Sequence, residues 1–262
     1  MTFNEYIQNP MGKKNGVFSQ REILRALYAN KLDKILVREN GKVDYKLYKK
    51  DKEDKFYVYM KVPSEVIAKF YYDVVIEFSP PDNIHAGVSS IDSYKVRFFS
   101  NDPAFVFTFA HAFIENDLFL TELSSKMSKP AIKNTAEIRN PKNEVGYVKS
   151  LFFAYLIMNQ RGLFKKVLYL TADEINFKVL IPLIMHADKK IQLRQEAQTE
   201  YDKKARINKK LAQNKDKSKT QIQDEMRSKD SVVRTTNPAK TVSTTKKSKI
   251  AKAVKKVAKR RG

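Results

Sequence analysis

Lys55-Phe56-Tyr57-Val58-Tyr59-Met60-Lys61-Val62 is the stretch whose reading decides the fold. It is aromatic and β-branched, it is bounded by charge, and Pro63 follows it, which together predict a strand. On its amino-terminal side, Ile35 to Glu39 and Val43 to Tyr48 flank Asn40-Gly41. That pair suits a type I′ turn and predicts a hairpin. On the carboxyl-terminal side, Pro63-Ser64-Glu65 predicts a short helical turn through Val66 and Ile67. Tyr71 to Phe78 and Tyr94 to Phe99 read as two further strands, joined by a polar loop with Pro80-Pro81 and Gly87. The first half is therefore expected to form a five-stranded, mainly antiparallel sheet.

Helical signals flank this sheet. Val17 to Leu32 has helical spacing at Ile23, Leu24, Leu27 and Tyr28, and Ser19 with Glu22 makes a capping box. Asn101-Asp102-Pro103 opens a second helix, with Asp102 as cap and Pro103 at the first helical position. Ala104 to Asn116 is apolar on nearly every side, which predicts burial of Phe105, Phe107, Phe109 and Phe113. On that reading Phe109→Ala costs roughly 3–5 kcal/mol. Asn140-Pro141 introduces another buried helix, about Glu144 to Gln160, which Gly162 can end. Lys165 to Leu170 reads as one short strand. Strands followed by helices define an α+β domain.

The composition breaks near residue 186. Of 29 aromatic residues, 28 precede it, the exception being Tyr201. Residues 1–186 carry 27 basic and 21 acidic side chains, whereas residues 187–262 carry 24 and 8. Most of the formal charge of +22 therefore lies where little could form a core. This predicts three parts: an α+β globular domain over 1–186, a charged helical extension over 187–230, and a basic Lys/Ala-rich tail over 231–262. The folded unit should end between residues 186 and 200. The extension lacks Gly and Pro from Ala187 to Lys229, and Ile191, Leu193, Ala197, Ile207, Leu211, Ile222 and Met226 form only a thin apolar stripe. That stripe suits a solvated helix or one that docks and then frays, or else a coiled-coil or partner-binding helix.

The tail has 11 basic residues and no acidic one. The candidate nucleic-acid-binding residues are Arg234, Lys240, Lys246, Lys247, Lys249, Lys252, Lys255, Lys256, Lys259, Arg260 and Arg261. They would meet the phosphate backbone of DNA or RNA, or an acidic protein. Ile250, Val254 and Val257 could instead enter an anionic membrane as one face of a short basic helix.

Other chemistry is sparse. The chain has no cysteine, which excludes disulfides, thiolate metal sites and a cysteine nucleophile. None of its seven glycines forms a phosphate-cradling loop, and no serine-hydrolase, zinc-protease or kinase motif occurs. No enzyme, cofactor or metal is expected. The histidines are His85 in a polar loop, His111 among the phenylalanines, and His186 two residues from Asp188; none has metal-ligand spacing. The interleaved Lys and Tyr of residues 42–61 could stack bases in a single strand, or could be the half-buried alternation of a sheet, the reading we favour. The longest apolar stretch, Ala104 to Ile114, is too short to cross a bilayer, and the amino terminus lacks a signal-peptide pattern, so a soluble protein made in a cytoplasm is expected.

Several stretches carry a resemblance: Met1-Thr-Phe-Asn-Glu-Tyr-Ile-Gln-Asn-Pro-Met-Gly-Lys13, Phe70-Tyr-Tyr-Asp-Val-Val75, Phe98-Phe-Ser-Asn-Asp-Pro-Ala-Phe105, Gly146-Tyr-Val-Lys-Ser-Leu-Phe-Phe-Ala-Tyr-Leu156 and Ile184-Met-His-Ala-Asp-Lys-Lys-Ile191. Together they resemble a group of uncharacterised proteins encoded among the virion genes of tailed bacteriophages. The resemblance covers about residues 1–195 and implies a structural protein of the particle, in the head interior, neck or tail hub, oligomeric once assembled with other virion proteins. It assigns no site residues, and the tail lies outside it. The rival readings are a stand-alone, sequence-nonspecific nucleic-acid-binding protein and an enzyme that uses the tail to locate its substrate.

Overall fold

The computed structural model describes residues 1–8, 21–81, 88–134, 140 and 142–233, with backbone alone at 21–29 and 213–233. The capping box at Ser19, His85 and the candidate tail residues from Arg234 onward lie outside the described residues. The chain divides into a unit from Met1 to Lys203 and a second from Lys204 to Gly262. The described part of the second unit, through Val233, is helix.

The first unit is α+β. Helices α1 (Phe3–Gln8) and α2 (Arg21–Arg38) precede four antiparallel strands: β1 (Tyr45–Lys50), β2 (Lys55–Pro63), β3 (Tyr71–Ser79) and β4 (Lys95–Ser100). A π-helical turn, Phe105–Phe109, leads into α3 (Ala110–Glu115). A 3-10 turn (Thr121–Lys126), α4 (Lys129–Lys133), α5 (Lys149–Gln160) and α6 (Val167–Leu170) come next, then β5 (Asp173–Glu174), α7 (Phe177–Leu183) and α8 (Ala187–Val233). The five-stranded sheet has the order β4-β3-β2-β1-β5, so its fifth strand comes late in the chain and pairs parallel to β1 at Tyr48 and Lys49.

The register places alternate residues on opposite faces. Phe56, Val58, Met60, Val74, Ile76, Phe78, Val96 and Phe98 lie on one face and are buried. Helices α1 and α5 cover it; the Phe3 ring stands 5.1 Å from Phe98. Tyr57, Tyr59, Asp73, Val75, Glu77, Arg97 and Phe99 lie on the other face. There α7 lays Phe177 edge-on against Tyr57 at 5.7 Å, and the 3-10 turn brings Glu122 to Arg97 at 3.4 Å. Tyr6 ties the amino terminus down, donating to Gly146 O at 3.0 Å and accepting from Val148 N at 3.2 Å.

Several expectations need correction. Ile35 to Glu39 does not pair as a strand: Ile35 to Arg38 are the last turn of α2. Leu32 and Ile35 are buried three residues apart while Val37 is 78% exposed, so the helical period prevailed over the alternating one. Asn40 and Gly41 end that helix at φ 57° and 67°, and Gly41 N donates to Leu36 O at 2.6 Å, a carboxyl-terminal cap instead of a hairpin. Among the described residues only four strands fall in the first half. After Pro63 the chain bends without forming a helix: the Ser64 hydroxyl accepts the Val66 and Ile67 N–H groups at 3.4 and 3.3 Å, but Ser64 N donates to Phe70 O at 2.7 Å and Lys69 turns at φ 59°, which closes the segment as a loop. Val167–Leu170 is a helical turn, not a strand.

The later helices also differ in detail. Helix α5 starts at Lys149, five residues after the expected position: Asn140 holds a turn, its O accepting Asn143 N at 2.9 Å and its Oδ1 accepting Glu144 N at 3.0 Å, and the approach that follows is extended at Val148, φ −109° and ψ 119°. Gly146 on that approach meets the Phe109 ring so closely that an added Cβ would lie 1.9 Å from Phe109 Cε1. Phe109 itself is half-buried, and Phe107 is 46% exposed. Residues two apart in a helical turn point to nearly opposite sides, so one covering layer cannot bury both Phe105 and Phe107. Gly162 follows α5 at φ 65°, as a helix-ending glycine should.

Arg97 and Glu77 form the most buried ion pair of this face, with Nε to Oε1 at 2.8 Å and Nη2 to Oε2 at 2.9 Å. Burial alone would raise the Glu77 carboxyl, but the two-pronged bond to Arg97 wins and holds it below the ordinary glutamate value. A carboxyl depressed on folding adds stability above its unfolded value of about 4.3, and that stability is lost as pH falls through the folded value. Glu77→Gln should therefore lower stability at neutral pH and flatten its decline below about pH 4.3. Urea unfolding from pH 3 to 7 reads this; parallel curves for the two proteins would contradict it.

Candidate functional site

Polar groups gather where β3 begins and β4 ends. Asp73 is 4% exposed. Its Oδ1 accepts from Tyr59 Oη at 2.9 Å, and its Oδ2 accepts from Asn101 Nδ2 at 2.8 Å and Met185 N at 3.2 Å. Asn101 completes the link, accepting Asp73 N at 2.8 Å and donating to Met185 O at 3.1 Å. Beside it, the Ser100 and Ser150 hydroxyls stand 3.1 Å apart, and Asp102 caps the following turn by accepting Ala104 N at 2.8 Å. Burial pushes the Asp102 carboxyl up, against the Ala104 N–H, the Ser150 hydroxyl and the charges of Arg194 and Lys149.

The first turns of α8 dock on this cluster. Ala187 and Ile191 are buried, the Lys190 ammonium lies 4.8 Å from the Phe70 ring, and Arg194 Nε donates to Tyr72 Oη at 2.8 Å. Burial holds Lys190 below the ordinary lysine range; Asp73 opposes that shift and Lys61 adds to it. The arrangement is a clamp: a strand carboxylate and a loop amide grip the backbone just before α8, and two α8 cations reach back to tyrosine and phenylalanine. It fixes the root of the charged extension on the sheet.

Beyond Asn101 and Asp102 at a helix start and Ile191 on the apolar stripe of the extension, the sequence assigned these residues no role. One signal was present: Asp73 and Glu77 alternate with apolar residues in Tyr71 to Phe78, which puts two carboxylates on one face of a buried strand. Buried carboxylates need partners, and the partners came from distant segments.

The interleaved lysines and tyrosines divide. Tyr57 and Tyr59 are buried and cannot receive a base, while Tyr45 is 39% exposed. Tyr45 lines a cleft of about 420 Å3 together with Val43, Asp44, Lys46, Tyr59, Lys61 and Leu183. Among the described residues, Asp44, Lys46 and Lys61 form no ion pair.

His111 lies in α3 and His186 directly precedes α8. His111 Nδ1 is buried without a hydrogen bond, 3.6 Å from Glu115 Oε1, and His186 Nδ1 accepts Asp188 N at 3.3 Å. Among the described residues no group of three His, Asp or Glu side chains could hold a metal ion, and no helix is long and apolar enough to cross a membrane. No family model matches the chain, and no match was found among curated proteins or solved structures.

Proposed function

We propose that the chain is a structural component of a tailed-phage particle, whose α+β unit assembles with other virion proteins and whose basic carboxyl-terminal tail contacts packaged DNA or an acidic neighbouring subunit. The observation that carries this reading is the division of charge along the chain. Eleven cations and no carboxylate fall in residues 231–262, so this segment cannot neutralise itself. The resemblance of residues 1–195 to virion-encoded proteins supports the particle as the setting. The buried clamp at the root of α8 suits the role, because it anchors a charged helix that leads toward the tail.

Deleting residues 231–262 tests the contact. If roughly six tail cations meet duplex phosphates, the log–log slope of affinity against salt is near −5, about −0.9 per contact. Base preference is weak, since phosphate contacts carry no sequence information directly. Titrating duplex DNA and anionic vesicles against both proteins at several salt concentrations should show this slope for the intact chain and its loss on deletion. An unchanged affinity and slope would remove the tail from the contact, and binding to vesicles but not DNA would make the partner a membrane. Stoichiometric recovery of the chain from purified particles is expected by mass spectrometry; recovery from infected-cell lysate alone would favour the stand-alone nucleic-acid-binding protein.

A further inference from the structure

The two edges of the sheet are treated differently. The outer edge of β4 is covered: Val96 N donates to Met1 O at 3.0 Å, Phe98 N to Leu118 O at 2.7 Å, and Leu120 N to Phe98 O at 2.9 Å. Among the described residues, the outer edge of β1 is strand-paired only at Tyr48 and Lys49, by β5. Lys61 N donates to Asp44 O at 2.9 Å, so in the antiparallel register the even-numbered residues of β1 bond to β2 and the odd-numbered ones point outward. Among the described residues, the N–H and C=O of Tyr45 have no main-chain partner. Tyr45 and Leu183 at this edge are 39% and 46% exposed.

We propose that a second copy of this chain pairs with this edge, β1 against β1, antiparallel about a two-fold axis at Tyr45. This goes beyond the virion reading and needs neither the tail nor DNA. It rests on the self-complementarity of Val43-Asp44-Tyr45-Lys46-Leu47. In that register Tyr45 faces Tyr45 of the second copy, Asp44 faces its Lys46, and Val43 faces its Leu47. Directly opposed residues share a face, so both carboxylates meet both ammoniums on one side of the joined sheet. The three apolar pairs lie on the other side. The outward N–H and C=O of the two Tyr45 residues bond to each other, which satisfies the open positions of both edges. On each copy Lys61 lies across from Asp44 in β2, so each Asp44 would sit between two cations. A lysine on an edge strand usually discourages edge pairing. Here the register answers each Lys46 with an Asp44, which turns that safeguard into a choice of partner. Exposed ion pairs contribute little affinity, so the main-chain bonds and the apolar side drive association and the charges set the register.

Charge exchange tests the proposal on the full-length chain. Sedimentation velocity should show a monomer–dimer equilibrium, with protection of the Tyr45 amide from hydrogen exchange growing with protein concentration. Asp44→Lys places Lys against Lys, and Lys46→Asp places Asp against Asp, each twice by symmetry. Either change should weaken the dimer roughly tenfold or more. In an equimolar mixture of the two variants, one chain carries lysine at both positions and the other carries aspartate at both. Every facing pair is then again one cation and one carboxylate, and the mixture should restore dimers at wild-type strength. Tyr45→Pro removes one outward N–H at the first residue of the strand, where proline is tolerated, and should abolish the dimer while the circular dichroism is kept. A monomer at every concentration up to about 100 μM overturns the proposal. So does a dimer indifferent to both charge reversals, which would place the contact elsewhere, or a Tyr45 amide whose exchange ignores concentration.

Discussion

Asp73→Ala should lower the unfolding free energy by about 3–5 kcal/mol, because it strips the partner from several buried donors at once. The Asp73 carboxylate accepts from Tyr59 Oη, Asn101 Nδ2 and Met185 N, at 2.9, 2.8 and 3.2 Å. Alanine returns none of these acceptors, and a buried donor left unsatisfied costs about 1–3 kcal/mol. It also leaves Lys190, already pushed down by burial, without the carboxylate that opposes that shift. Asp73→Asn should be milder. Its one carbonyl oxygen can still accept from Asn101 and Met185, and Tyr59 can turn to accept from the new amide. Urea unfolding of the three proteins gives the ranking. A local readout separates a clamp from ordinary packing: amides of residues 187–191 should exchange faster in Asp73→Ala before global unfolding contributes. Equal stability of Asp73→Ala and Asp73→Asn, or unchanged exchange there, would mean that the carboxylate does not hold the root of α8.

That cluster also marks how far the sequence could be read. The strands β2, β3 and β4 were legible because each carries aromatic and β-branched residues at strand period between breakers. The reading failed where two periods competed. Ile35 to Arg38 has β-branched residues and a turn-forming Asn-Gly behind it, yet Leu32 and Ile35 extend the face of the preceding helix, and the whole core decides between them. The fifth strand was misplaced because Asp173-Glu174 has no strand propensity; it pairs only because the chain between α6 and α7 passes the edge of β1. The clamp was illegible for a related reason. Asp73, Asn101, Met185 and Arg194 are far apart in sequence, and only the folded sheet brings them together. The candidate cations of the tail, by contrast, were named from charge alone and lie outside the described residues.

Phe113→Ala should cost about 3–5 kcal/mol, the range for a large aromatic removed from a packed core. The sequence alone assigned that cost to Phe109, and the structure moves it one turn along. Phe113 is fully buried, whereas Phe109 is half-buried and Phe107 is 46% exposed. Three rings meet Phe113 edge-on: Phe105 at 5.0 Å, Tyr6 at 5.7 Å and Phe98 at 5.9 Å. Each such pair is worth about 0.5–1.5 kcal/mol beyond the area it buries. These rings come from the π-helical turn, the amino-terminal helix and β4, so the cavity left by alanine borders three elements that cannot all close on it. Phe107→Ala, in the π-helical turn that leads into α3, removes the same atoms from a half-solvated position and should cost about 1 kcal/mol or less. The two variants make the same Phe-to-Ala change, so their difference reports the difference in burial. Chemical denaturation of both, read at equal m-value, measures it. Similar losses for Phe107 and Phe113 would mean that the exposed face of this helix is covered in solution.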